Sequence, residues 1–183
     1  MPPAPPPAPA PAPRPTPTID ALLAANDRFA ASFDAARAGC DISSPRPTRR
    51  AAVVTCMDAR IDLFAALGLA LGEVHVIRNA GGVVTDDVLR SLVLSQRKLG
   101  TREVLIAQHT DCGLHGLDDQ ALLAEVEADA GERPQFVFGG FTDLDASVRS
   151  SLARVRAAAF VPHREAVRGF VYDVATGRLR EVT

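Results

Sequence analysis

The chain has no tryptophan, one tyrosine and only three cysteines among its 183 residues. So few cysteines, with no cationic start leading into an apolar segment, argue against a secreted disulfide scaffold. They point to a reducing, cytoplasmic compartment, where a thiol is core filler, ligand or nucleophile. No apolar run approaches the ~20 residues needed to cross a bilayer, so no membrane partner is expected. Charge of one sign is lacking too: 20 basic against 22 acidic residues give a net charge of -2 and a pI near 6.1. That balance offers no footprint for nucleic acid or anionic membrane and suits a small neutral or anionic ligand.

Proline is plentiful but confined. Ten of the 14 prolines fall in residues 1–17, interleaved with Ala and Arg14, a composition that cannot hydrogen-bond its backbone or bury a core. Residues 1–17 therefore read as a disordered, solubilising tail. Thr18 is expected to cap a helical arm over 18–39, with Ile19, Leu22, Leu23, Phe29 and Phe33 on one stripe and Gly39 at its end. A Pro/Ser/Arg loop follows, and Cys40 at its edge reads as structural.

From residue 51 the pattern alternates, and 47% apolar content is enough for one domain over 18–183. Short apolar strands are expected over 51–56, 74–78 and 104–108. Helices are expected over 63–71, from Asp86 and Asp87 to Gly100, over 118–130 and over 143–158. The segment 169–182 alternates around Thr176-Gly177 as a hairpin. Strands apolar on both faces and separated by helices predict an α/β fold of three layers. Its central sheet would be mostly parallel and flanked by helices, with a C-terminal antiparallel hairpin strand.

The chemistry-bearing residues gather at two predicted strand ends: Cys56-Met57-Asp58-Ala59-Arg60, and His109-Thr110-Asp111-Cys112-Gly113. Open α/β sheets bind ligands beyond the carboxyl ends of their strands. If the two strands are neighbours, Cys56, His109 and Cys112 supply three ligands for a tetrahedral Zn²⁺ and leave the fourth position open, the mark of a catalytic site. Three residues between Cys56 and Arg60 make too short an anion cradle for a phosphatase-like nucleophile, and no closely spaced Cys pair suggests a thioredoxin-type site. A Cys56–Cys112 disulfide is geometrically conceivable, but it leaves His109, Asp58 and Arg60 without a purpose.

With Val76-Ile77-Arg78-Asn79-Ala80-Gly81 between them, these two motifs resemble the β-class carbonic anhydrases, strongly over 50–116 and in outline on either side. The resemblance implies Cys56, His109 and Cys112 as ligands of one Zn²⁺ per subunit, and Asp58 with Arg60 as a catalytic dyad. It implies reversible hydration of CO₂ to bicarbonate and a proton through zinc-bound hydroxide. Some members have a closed form in which the arginine releases the aspartate to the metal, and the residues here permit either form, with Asp58 as the fourth ligand in the closed one. Sites in this family lie at a dimer interface, so a homodimer or higher assembly is expected, with the arm 18–39 embracing a partner. Ala59 stands where many members have Ser, and the missing tryptophan removes a bicarbonate-regulated pocket found in some of them. Two other readings stand beside this one: hydrolysis of a related heterocumulene, COS or CS₂, and a non-catalytic zinc-binding regulatory role. Two thiolates cancel the metal's charge, so activity is expected to rise above neutral pH.

Around the ligands, Thr110 and Asp111 are candidates to orient His109. Asn79, Gly81 and Gly82 are candidates to shape the pocket, the glycines through close backbone approach or simply as a turn. His115 is a candidate proton relay or an exposed loop histidine. His75 reads as a half-buried strand residue, His163 carries no motif, and Asp86 and Asp87 are helix-start charges.

Overall fold

The computed structural model describes residues 15–34, 41 and 43–183. The Pro/Ala-rich tail through residue 14, the predicted end of the arm at Gly39, and Cys40 lie outside them. The chain divides into two compact units, Met1–Ala38 and Gly39–Thr183.

In the first unit, helix α1 runs Pro17–Ser32, with Thr16 in the capping position. The helix thus begins at Pro17, before Thr18 and inside the stretch 1–17 expected to be tail. Pro17 sits in its first turn, where a missing N–H breaks no helical bond and the fixed φ suits the start. The helix also stops well short of 39. Ser32 Oγ turns back to donate to the Arg28 and Phe29 carbonyls at 3.3 and 3.1 Å, and Phe33 is extended (φ -69°, ψ 120°). Serine that bonds its own turn weakens the ladder, and no basic residue in the last turn offsets the dipole.

The second unit is built on a five-stranded sheet of order β2-β1-β3-β4-β5, from β1 Ala51–Cys56, β2 Val74–Asn79, β3 Glu103–His109, β4 Val167–Tyr172 and β5 Leu179–Val182. The first four strands are parallel and β5 returns antiparallel to β4, as the alternating pattern predicted. The chain passes from β1 to β2 on one side and reaches β3 on the other. The gap between β1 and β3 is therefore a topological switch point, where open sheets leave a crevice.

Two helices cover one face of the sheet: α3 Asp86–Arg97 and α5 Leu144–Ala157. Val54, Ile106, Leu92, Val148, Val155 and Val167 are fully buried there, each contributing about 1.5–3 kcal/mol of burial. The other face is covered more thinly, by Ile61 and by Leu63 and Leu67 of α2 Leu63–Leu67 packed on Val53, with Cys56 and Cys112 in the same cluster. Helix α2 is shorter than the expected 63–71 because Gly68 adopts a left-handed cap (φ 60°). Helix α4, Asp119–Ala130, is capped by Asp118. His75 is half-buried in β2 and satisfied on both nitrogens, by Ser95 Oγ at 2.8 Å and the Pro45 carbonyl at 3.1 Å. Asp86 and Asp87 occupy the first turn of α3, whose cap is Thr85. Among the described residues, no helix is long and apolar enough to cross a membrane.

Candidate metal centre

The site grows out of the register. Strands β1 and β3 pair from Ala51↔Glu103 to Thr55↔Ala107, so Cys56 and His109 leave the sheet side by side at its carboxyl edge. Beyond β3 the chain turns through Asp111, a non-glycine residue with φ 57°, and brings Cys112 back. Among the described residues, one group of His, Cys and acidic side chains could hold a metal: Cys56, His109 and Cys112, all buried, with ligand atoms within 4.8 Å of one another. Both cysteines are free thiols.

These residues fit a metal better than they fit each other. His109 is 1% exposed, and its Nε2 is buried with no hydrogen-bond partner. Its Nδ1 lies 2.8 Å from the Thr110 carbonyl, which can only accept, so Nδ1 carries the proton and Nε2 presents its lone pair to the two sulfurs. An orphaned buried acceptor of this kind is destabilising unless something occupies it. Burial holds the Cys112 thiol above its ordinary range, and the neighbouring Cys56 sulfur adds to this against the backbone of Leu114. A cation among the three groups relieves both the orphaned nitrogen and the crowded sulfurs. Two thiolates and an imidazole are a soft donor set suited to zinc.

Asp58 and Arg60 stand at the rim. Arg60 donates from Nε to Asp58 Oδ1 at 3.0 Å and from Nη2 to Oδ2 at 2.8 Å, a bidentate fork, and its backbone N–H reaches Oδ1 at 2.9 Å. These bonds hold the Asp58 carboxyl far below the usual carboxylate range and raise the Arg60 guanidinium in turn. Asp58 Oδ2 is 3.8 Å from His109 Nε2. An ionised acceptor therefore lies next to the unpartnered ligand nitrogen.

The surrounding candidates divide. The Gly81 N–H points at Cys56 Sγ, 3.2 Å away. Asn79 donates from its amide to the Val83 carbonyl and accepts the Met57 N–H on its backbone, which closes the turn over 80–82. Gly82 has φ 64°, and a Cβ there would meet Cys56 N and Thr55 C at 2.9 Å, so its bareness lets that turn lie on the backbone of β1. Gly68 has a similar φ but open space around it. Gly68→Ala is expected to lower stability by about 1 kcal/mol, from left-handed strain alone, and Gly82→Ala by about 3 kcal/mol or more. Urea unfolding midpoints of the two variants provide the check. Equal losses would mean that the close approach at Gly82 has no energetic weight.

Thr110 helps orient His109, but through its backbone carbonyl; its hydroxyl accepts the Val174 N–H at 3.1 Å and braces the β4–β5 hairpin. The Asp111 side chain bonds Arg60 and not His109. His115 is exposed, with Nε2 at 3.2 Å from the Thr142 carbonyl, and His163 offers its backbone N–H to Gln96. Arg78 stands in the quoted motif, but motif reading gave it no role. From β2 it donates to three carbonyls, those of Cys56 at 2.8 Å, Asp58 at 2.7 Å and Ile61 at 3.4 Å, and so staples the loop carrying Cys56 and Asp58. Its signal was a guanidinium near the end of a mostly apolar strand.

Comparison with known proteins agrees with this geometry. The family model described as carbonic anhydrase matches residues 51–134. Beta-carbonic anhydrase 1 of Mycobacterium tuberculosis is 49% identical over 137 residues, 75% of this chain and 84% of that protein. Carbon disulfide hydrolase of Saccharolobus solfataricus is 31% identical over 157 residues, 73% of this chain and 77% of that protein. The crystal structure of a carbonic anhydrase from Streptococcus mutans superposes with a TM-score of 0.79 at 39% identity, covering 90% of this chain and 97% of that one. With this coverage on both sides, the chain belongs to the β-carbonic anhydrase family.

Proposed function

We propose that this chain is a zinc-dependent carbonic anhydrase that reversibly hydrates CO₂ to bicarbonate and a proton. Cys56, His109 and Cys112 hold one zinc per subunit, and Asp58 and Arg60 are the catalytic pair. The observation that carries the reading is Asp58. A structural metal site needs no ionised carboxylate clamped by arginine at its open side, 3.8 Å from the ligand nitrogen. Zinc bound there supplies the Lewis acidity that makes a water nucleophilic near neutral pH.

The chain's own residues do the rest. His109, fixed in one tautomer by the Thr110 carbonyl, offers only Nε2 to the metal. The Gly81 N–H donates to the Cys56 sulfur and tempers its charge. Arg60 keeps Asp58 ionised, so Asp58 acts purely as an acceptor. It would accept a hydrogen bond from the O–H of the attacking water and so turn an oxygen lone pair towards CO₂. Both Asp58 oxygens are engaged by Arg60, which supports the open form rather than the one in which Asp58 ligates the metal.

The likeness to a carbon disulfide hydrolase supplies a competing substrate of the same linear shape. Stopped-flow CO₂ hydration and CS₂ hydrolysis on zinc-quantified protein, from about pH 6 to 9, separate the readings. CO₂ turnover that rises above neutral pH is the expected result. Zinc-replete protein that turns over CS₂ alone, or neither compound, overturns it.

The family resemblance favours a homodimer or higher assembly in the cytoplasm, where the paired thiols stay reduced. No side chain of α1 is buried, and Ile19, Leu22, Leu23 and Phe29 are 53–65% exposed. Such a stripe suits burial against a second copy. Leu22→Asp with Phe29→Asp is expected to shift the mass measured by light scattering towards the 19.3 kDa monomer. An unchanged mass would remove α1 from the interface.

A further inference from the structure

Asp111 sits in the turn between two proposed ligands, yet its side chain serves neither. Its carboxylate accepts from Arg60 Nη1 at 2.6 Å, and its backbone carbonyl accepts from Arg60 Nη2 at 2.9 Å. With the two bonds to Asp58, four of the five N–H groups of the Arg60 fork are committed. The Arg60 side chain is 48% exposed, and an exposed arginine–carboxylate pair is ordinarily weak and mobile. Two carboxylates and a carbonyl on one planar fork leave it a single orientation.

The backbone supports the same point. Asp111 adopts φ 57°, a left-handed conformation uncommon outside glycine, although Asp tolerates it better than most residues. That turn sets carbonyl and carboxylate on one guanidinium. The Asp111 side chain is 77% exposed, so the contact does little for stability. What it provides is a rigid link, because Asp111 is tied covalently to the turn carrying His109 and Cys112.

We infer that Asp111 is a positioning residue for the reaction: it locks Arg60 to the ligand-bearing turn, so that Asp58 is held in register with the metal ligands. The inference rests on the carbonic anhydrase reading. It gives this exposed acid a role through Arg60, without contact with substrate or metal.

The test uses zinc-loaded protein. Asp111→Gly keeps the left-handed backbone and the carbonyl contact but deletes the carboxylate; Asp111→Asn retains an acceptor oxygen. Zinc content should match wild type in both, and neither unfolding midpoint should fall. In Asp111→Gly, kcat/KM for CO₂ hydration should fall about tenfold, and Asp111→Asn should recover to within about threefold of wild type. Adding Asp111→Gly to Arg60→Ala should change the rate by less than about twofold, because the effect passes through Arg60. Independently of turnover, the Arg60 Nε–Hε signal in NMR should exchange with water at least about tenfold faster in Asp111→Gly. An unchanged rate in Asp111→Gly, or an equal loss on the Arg60→Ala background, overturns the inference. Wild-type protein without CO₂ turnover would sink the carbonic anhydrase reading, while the NMR comparison would still decide whether Asp111 fixes Arg60.

Discussion

Asp58→Ala is expected to keep its zinc and to lose CO₂ hydration by about 10²- to 10³-fold in kcat/KM, the loss typical of removing one preorganised group beside a reacting centre. Asp58 is no member of the Cys56–His109–Cys112 triangle, so its removal leaves the metal's three protein donors in place. It does remove the ionised acceptor at the rim and leaves Arg60 anchored by Asp111 alone. Asp58→Asn keeps the shape but loses the charge, and its amide group can donate where only an acceptor is useful. It should therefore resemble Ala more than wild type. Zinc quantification beside stopped-flow hydration reads both quantities on one sample. Zinc lost together with activity would make Asp58 a ligand in the resting state, and a wild-type rate would remove it from the mechanism.

Cys56→Ser is expected to lose the metal and all measurable turnover with it. The exchange is nearly isosteric, so the fold has little reason to respond, but a hydroxyl is a poor zinc donor where a thiolate is a strong one. Cys56 also ends β1 at 4% exposure and receives the Gly81 N–H on its sulfur, and the nearby Asp58 carboxylate is held by Arg60. A zinc content near zero after purification, with circular dichroism like wild type, is the predicted pair of readings. Stoichiometric zinc in Cys56→Ser would mean that the metal is held elsewhere. A collapsed fold would mean that the sulfur also supports the thin cluster around Val53, Ile61 and Leu63.

How much of this was legible in the chain varied with the distance over which each feature is decided. The strands ending at Cys56 and His109, the helices between them and the C-terminal return strand follow from apolar runs and periodicity, which act within a few residues. The boundaries followed less well. The helix expected to reach Gly39 ends at Ser32, and the one expected to reach Leu71 ends at Gly68. There, one side chain or one left-handed residue outweighed the continuing apolar pattern.

The amino-acid sequence alone nominated the residues proposed to carry the chemistry. Cys56, Asp58, Arg60, His109 and Cys112 are too reactive a set to end two apolar strands without use, and their spacing resembles one family. Only the tertiary structure decided who touches whom. Arg78 reaches the Cys56–Ile61 loop because β1 and β2 pair with Thr55 opposite Arg78, and a slip of one residue would turn that guanidinium to the other face. Asp111 reaches Arg60 rather than His109 because its backbone turns left-handed. Register and turn conformation are settled by packing across fifty residues of chain, beyond the reach of any local pattern, and they bring the three proposed ligands and the proposed dyad into one braced site.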